Sequence, residues 1–419
     1  MYTEVSTEQT PPLFMPLSFF ISSILGGIFA SLYLFVYSNS IIVSRWYPQS
    51  LTVLHLFVLT LILPTMIGAL FQFLPIMTAS PWKKPILLNQ LVYWTYWPGV
   101  ISLLIGFHTQ TWHPIQVILI SFLLLNLLSL AILFIIKTSK MGGRSPSCWS
   151  LMLGLISLVF VIGFASLLLL GHLNILPIYR ASLTPLHFSF GFAGWIFSTI
   201  MAISFQVLPM FFVTPKYPIT LQKFVIVLIL FGLSIYYFNS GLGTFLLMLA
   251  QVAFFIQTVA LLGNRKRKKS DPTILFFYIG FSIQSLNILL WSISSDFFKG
   301  LLILFCILAL ISGMLIKIFP FLFWLHSQNL QIDLLSKGKK IPLTTLSMNL
   351  LLPNSFLYTL VGIYGFSIFI FLIAFILPNL LKAYLISFGA LLIVFFLSYI
   401  LFLIYRAYII YRMSTKALN

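Results

Sequence analysis

Acidic residues are almost missing from this chain. Five Asp or Glu stand among 419 residues, against 23 Lys or Arg. All charged residues together make up 7%, where a soluble domain carries about a quarter. So few charges cannot cover a soluble surface. Cysteine is scarce as well. Cys148 and Cys306 have no CxxC partner, which excludes a disulfide framework. There is no phosphate-binding Gly loop, no Ser-His-Asp set and no HExxH string. Glu4 and Glu8 precede the first apolar run, and no Lys or Arg does. That run does not read as a signal peptide, so it is expected to stay in the protein.

What fills the chain instead is apolar. Hydrophobic residues make up 61% and the mean hydropathy is +1.11. A lipid bilayer accommodates such a composition, because it tolerates apolar residues on every helix face. The pattern predicts an all-α integral membrane protein of about 12 spans, one polytopic domain over residues 1–419. The expected spans are 14–37, 51–77, 86–107, 113–136, 149–171, 183–213, 221–238, 242–263, 273–294, 301–325, 354–377 and 383–411. Many Trp and Tyr, among them Trp46, Trp82, Trp94 and Trp97, fit interface belts.

A net charge of +18 raises nucleic acid as a partner, but the basic residues form no single surface. They sit in loops between apolar runs. One side collects 19, including Arg144, the run 265–269, Lys317, Lys339 and Lys340. The other holds four: Arg45, Arg180, Lys299 and Lys382. The positive-inside rule then places both termini in the cytoplasm of a cytoplasmic (inner) membrane. The partner this implies is the lipid bilayer, not nucleic acid. The long loop, residues 326–353, would be cytoplasmic. Its apolar residues Leu330, Ile332, Leu334 and Leu335 suit a segment lying on the membrane surface.

A repeat runs through the spans. Residues 54–82 and 186–218 both begin Leu-His and both carry Gln-x-Leu-Pro, which aligns His55 with His187, Gln72 with Gln206 and Pro75 with Pro209. In span ten, Lys317 and Pro320 take the places of the Gln and the Pro. Spans two, six and ten are four helices apart. Three four-helix units predict a pseudo-threefold bundle with one marked helix per unit near the axis.

These residues resemble the haem–copper oxidase subunit I superfamily, which has twelve spans, cytoplasmic termini and three four-helix arcs. The closer resemblance is to the NnrS-like, oxidase-related membrane proteins, associated with haem binding and with nitric-oxide or copper stress. It rests on His55–Gln72–Pro75, His187–Gln206–Pro209 and the Lys-Ile-x-Pro-Phe-x-x-Trp string from Lys317 to Trp324. It implies a haem ligand at His55. The chain departs from the oxidases where oxygen is reduced. Span ten has no His in its embedded or outer part, span seven has no His pair, and no Tyr follows His187 at helical spacing. A terminal oxidase is therefore not expected. The spans also lack the acids of an oxidase-like proton channel.

Five of six histidines fall near the outer surface, with His326 alone inside. His55 and His187 would hold a b-type haem between spans two and six, or else serve as interfacial side chains bonded to loops. Their spacing poses a problem. His55 to Gln72 is 17 residues and His187 to Gln206 is 19, a phase difference of about 200° on an α-helix. Both face one axis only if a kink intervenes, and Pro64 is placed to make one. His108, His113 and His172 together would suit copper or zinc. Gln72, Gln206 and Lys317 are expected near the inner end, as a polar ring or as helix-end ties. Two other functions stay open: a secondary transporter or ion or metal permease, disfavoured by the four-helix period, and a cofactor-free assembly or structural subunit.

Overall fold

The structure, a computed structural model, describes residues 9–141, 145–338 and 346–416. Glu4, Glu8, Arg144, Lys339 and Lys340 lie outside those residues. Among the described residues the secondary structure is helical throughout, with no strand. The first six helices are α1 (Phe14–Ile41), α2 (Pro48–Thr78), α3 (Pro85–Thr109), α4 (Pro114–Thr138), α5 (Pro146–His172) and α6 (Arg180–Phe212). Then follow α7 (Ile219–Tyr236), α8 (Ser240–Gly263), α9 (Thr273–Leu289), α10 (Asp296–Ser336), the single turn α11 (Met348–Leu351), α12 (Asn354–Ile376) and α13 (Asn379–Lys416).

Local chemistry sets the helix starts. Proline opens α2, α3, α4 and α5, where its missing N–H costs nothing. Ser145, Asn239 and Ser295 cap α5, α8 and α10 by accepting from the backbone N–H three residues on. Ten of these helices are long and apolar enough to cross a membrane, so the protein is an integral membrane protein by length and composition. Two of the segments expected to span are not among the ten. Residues 86–107 do form a helix, α3, but Asn89, Gln90 and its Tyr and Trp residues dilute its apolar character. The segment 273–294 helps form only the 17-residue α9, which breaks into turns at 290–294.

The helix α10 measures the bundle. From Asp296 to Lys317 is 21 residues, about 31 Å of helix and close to the thickness of a bilayer core. The helix continues as far as Ser336. The first part of the expected surface loop is thus an extension of span ten. Leu334 is buried in it, while Ile332 and Leu335 stay exposed. Phe323 of this extension stacks on Tyr411 of α13, with ring centres 5.3 Å apart.

Packing follows chain order. Neighbours pair as α3 on α4, α7 on α8, α9 on α10 and α12 on α13, while α13 also lies along α1. Ser387 of α13 donates to Ser38 Oγ at 2.7 Å or to the Phe35 carbonyl at 3.0 Å, joining the last helix to the first. Glycine allows the closest approach of α3 to α4. A Cβ on Gly99 would sit 2.5 Å from Leu123 Cβ and 2.7 Å from the Leu119 carbonyl. Gly99→Ala therefore overpacks this contact, at a cost of about 1–3 kcal/mol. Its thermal unfolding midpoint in detergent should fall. Gly163→Ala, whose Cβ meets nothing within 4 Å, should unfold at the native temperature.

Candidate functional site

The two Leu-His helices share a departure from α geometry. In α2 the stretch Phe57–Ile62 is a π turn of six residues. In α6 the stretch Phe190–Phe197 is a π turn of eight. Each begins just after its histidine. A π turn uses i→i+5 bonds and changes the helical phase.

The cause in α2 is legible atom by atom. The last π bond runs from Leu63 N–H to the Val58 carbonyl. The next would need an N–H on residue 64, which is proline. The Leu59 carbonyl is left without a backbone donor, and the hydroxyl of buried Tyr96 on α3 supplies one at 2.5 Å. Pro75 repeats the device further along. It cannot bond the Phe71 carbonyl, and the Trp82 indole N–H donates to it instead at 2.8 Å. In α6 the Ser198 hydroxyl donates to Ala193, five residues back, at 3.2 Å.

These turns bring His55 and His187 together. Their ring centres are 6.4 Å apart and their planes differ by 19°. If a nitrogen of each ring faced one metal at about 2.0 Å, the two ring centres would be about 6.3 Å apart. His55 Nδ1 donates to the Leu51 carbonyl at 2.9 Å. A carbonyl only accepts, so the proton is on Nδ1 and the Nε2 lone pair is free. Metal-binding imidazoles are commonly oriented in this way. His187 Nδ1 is buried without a hydrogen bond. The Val161 carbonyl of α5 lies beside it but falls short of bonding geometry. Four residues along, a Cβ on Gly191 would touch only Val161 Cγ2, at 3.8 Å, which leaves room on that face of α6. Phe107 of α3 lies 4.8 Å from His55.

His108, His113 and His172 each have contacts of their own. The Tyr33 hydroxyl on α1 bonds His108 Nδ1 at 2.8 Å. His113 caps α4, donating its backbone N–H to Gln116 Oε1 at 2.8 Å. Arg180 Nη1 donates to His172 Nδ1 at 3.3 Å, and Trp112 and Phe107 pack on the His172 ring. The copper or zinc site expected at His108, His113 and His172 would need other side-chain positions than these. Among the described residues no three His, Cys, Asp or Glu side chains gather as a metal site.

Nor do Gln72, Gln206 and Lys317 close into one ring. Gln72 is buried and neither amide atom has a partner. Gln206 is exposed and donates to Ser147 of α5 at 2.9 Å. Lys317 pairs with Asp271 and lies over the Phe212 ring at 5.3 Å. The π turns align the histidines, and the two-residue difference in spacing emerges at the other end, where one glutamine is buried and the other is not.

Sequence reasoning had Pro64 in view but missed the π turns and Tyr96. Tyr96→Phe should leave the Leu59 carbonyl unsatisfied, at about 1–3 kcal/mol. A lower midpoint of thermal unfolding would register this, and an unchanged midpoint would refute the role given to Tyr96. No family model matches the chain, and no curated protein matches it.

Proposed function

We propose that this chain is an oxidase-related, haem-binding protein of the cytoplasmic membrane that takes part in one-electron transfer. His55 and His187 would hold one haem b, with α2 and α6 as its walls. The observation that carries the reading is the 6.4 Å separation of two nearly parallel imidazoles. A haem held by these two histidines would supply one-electron transfer. The Leu51 carbonyl fixes the His55 tautomer, and Phe107 shields one side of that ring.

The wider reading is a twelve-helix bundle of three four-helix units, α1–α4, α5–α8 and α9–α13, with α11 a connecting turn. Three inter-unit seams support it: α4 on α5, α8 on α9 and α13 on α1. So do the equivalent places of α2, α6 and α10 within their units. The outer face would carry the histidine pair, and both termini would be cytoplasmic.

Purified protein should show a sharp reduced α-band in a reduced-minus-oxidised visible spectrum, absent from His55→Ala and from His187→Ala. A folded protein with no haem band would remove the haem and favour a cofactor-free role. Orientation has its own test. Cys148 and Cys306 are both buried, so the native background is low. In right-side-out vesicles an impermeant thiol reagent should label Tyr179→Cys directly and Lys268→Cys only after permeabilisation.

A further inference from the structure

The three marked helices α2, α6 and α10 pack mainly on neighbours within their own groups and touch one another little. Between them is a cavity of about 70 Å³. Thr65 and Ala69 of α2, Thr199 and Ser204 of α6, and Leu310 and Met314 of α10 are among its walls. Thr65 is ten residues beyond His55, about 15 Å along the helix. The cavity is thus separate from the histidine pair.

Its walls are carbon. The Thr65 hydroxyl is bonded to the Leu61 carbonyl or to Ser23, at 2.7 and 2.9 Å. The Thr199 hydroxyl is turned toward α5, where a Cβ on Gly154 would sit 2.9 Å from it, and is buried without a hydrogen-bond partner. Lys317, the nearest charge on α10, is held aside by Asp271. In a chain with 44 phenylalanines, small residues stand where larger ones would fill the space. Apolar cavities stay dry and take apolar guests, and one of about 150 Å³ admits benzene or xenon. Half that volume suits one guest of two or three heavy atoms. Such molecules partition from water into lipid and reach the helices from the bilayer.

We propose that the axial cavity is a binding site for a small apolar molecule, of the class of dissolved gases, independent of any cofactor held by His55 and His187. A rival occupant is water, since the Thr199 hydroxyl on the wall and the amide of Gln72, on the Thr65–Ala69 stripe of α2, are buried without hydrogen-bond partners.

Xenon is the probe. Xenon NMR of the purified protein should show one saturable site. Ala69→Leu on α2 and Ser204→Leu on α6 each fill the cavity from a different helix, and each should abolish that site. Both variants are to be read only where the unfolding midpoint is native or higher, and either alone suffices. The reduced haem band, if present, should survive in both, which separates this test from that of the histidine pair. No saturable xenon site in the folded native protein would overturn the proposal. So would a site unchanged in a folded filled variant, or ordered water seen at Thr199 and Gln72 in place of the guest.

Discussion

Inside a bilayer there is no water to take up a carbonyl that its helix has abandoned. Every such oxygen must find a donor in the protein, and this constraint shapes the bundle. Prolines within the helices release carbonyls at set places. At Leu59 the donor is the Tyr96 hydroxyl, and at Phe71 it is the Trp82 indole. Each donor comes from beyond its own helix, so the repair of one backbone also fixes the position of a neighbour. The π turn in α2 persists because Tyr96 completes it. Its effect is to turn His55 toward His187, which is why a backbone irregularity lies beside the only imidazole pair of this geometry among the described residues.

The same scarcity governs charge. The three aspartates are each spent on a local ion pair: Asp271 on Lys317, Asp296 on Arg45 and Lys299, and Asp333 on Lys337. Asp296 and Lys317 bracket the length of α10 that matches a bilayer core. Among the described residues no carboxylate pairs with either histidine, and His55 Nδ1 bonds the Leu51 carbonyl. An imidazole whose Nδ1 proton is held by a carbonyl, as in His55, presents Nε2 as a ligand for a metal. The axial cavity reflects a related economy. The helices α2, α6 and α10 pack mainly on their neighbours in sequence and place Thr65, Ala69, Thr199 and Ser204 at the cavity wall.

Much of this was legible beforehand. Apolar runs located the helices, and the shared Leu-His start singled out His55 and His187 from six histidines. What failed to show in the sequence depended on contacts between distant residues. Tyr96 carries no signal that it will bond to a carbonyl 37 residues back. His108 and His113 flank one short turn and looked like a pair. The His108 ring is drawn to α1 by Tyr33, while His113 stands at the N-cap of α4 and gives its backbone N–H to Gln116. The matched glutamines suggested a ring, yet their spacing from the histidines differs by two residues. That is enough to bury Gln72 and expose Gln206. The span 273–294 lost its last turn where α9 gives way to the loop before Ser295.

The central proposal is that His55 and His187 would together hold one haem. Electron paramagnetic resonance of the purified, oxidised protein tests it most directly. Two imidazole nitrogens on one ferric haem give a low-spin centre, so a single low-spin signal is predicted, lost on replacing either histidine. A high-spin signal in the native protein would mean that one axial position is open. That result, or a folded protein with no ferric signal, would contradict the account.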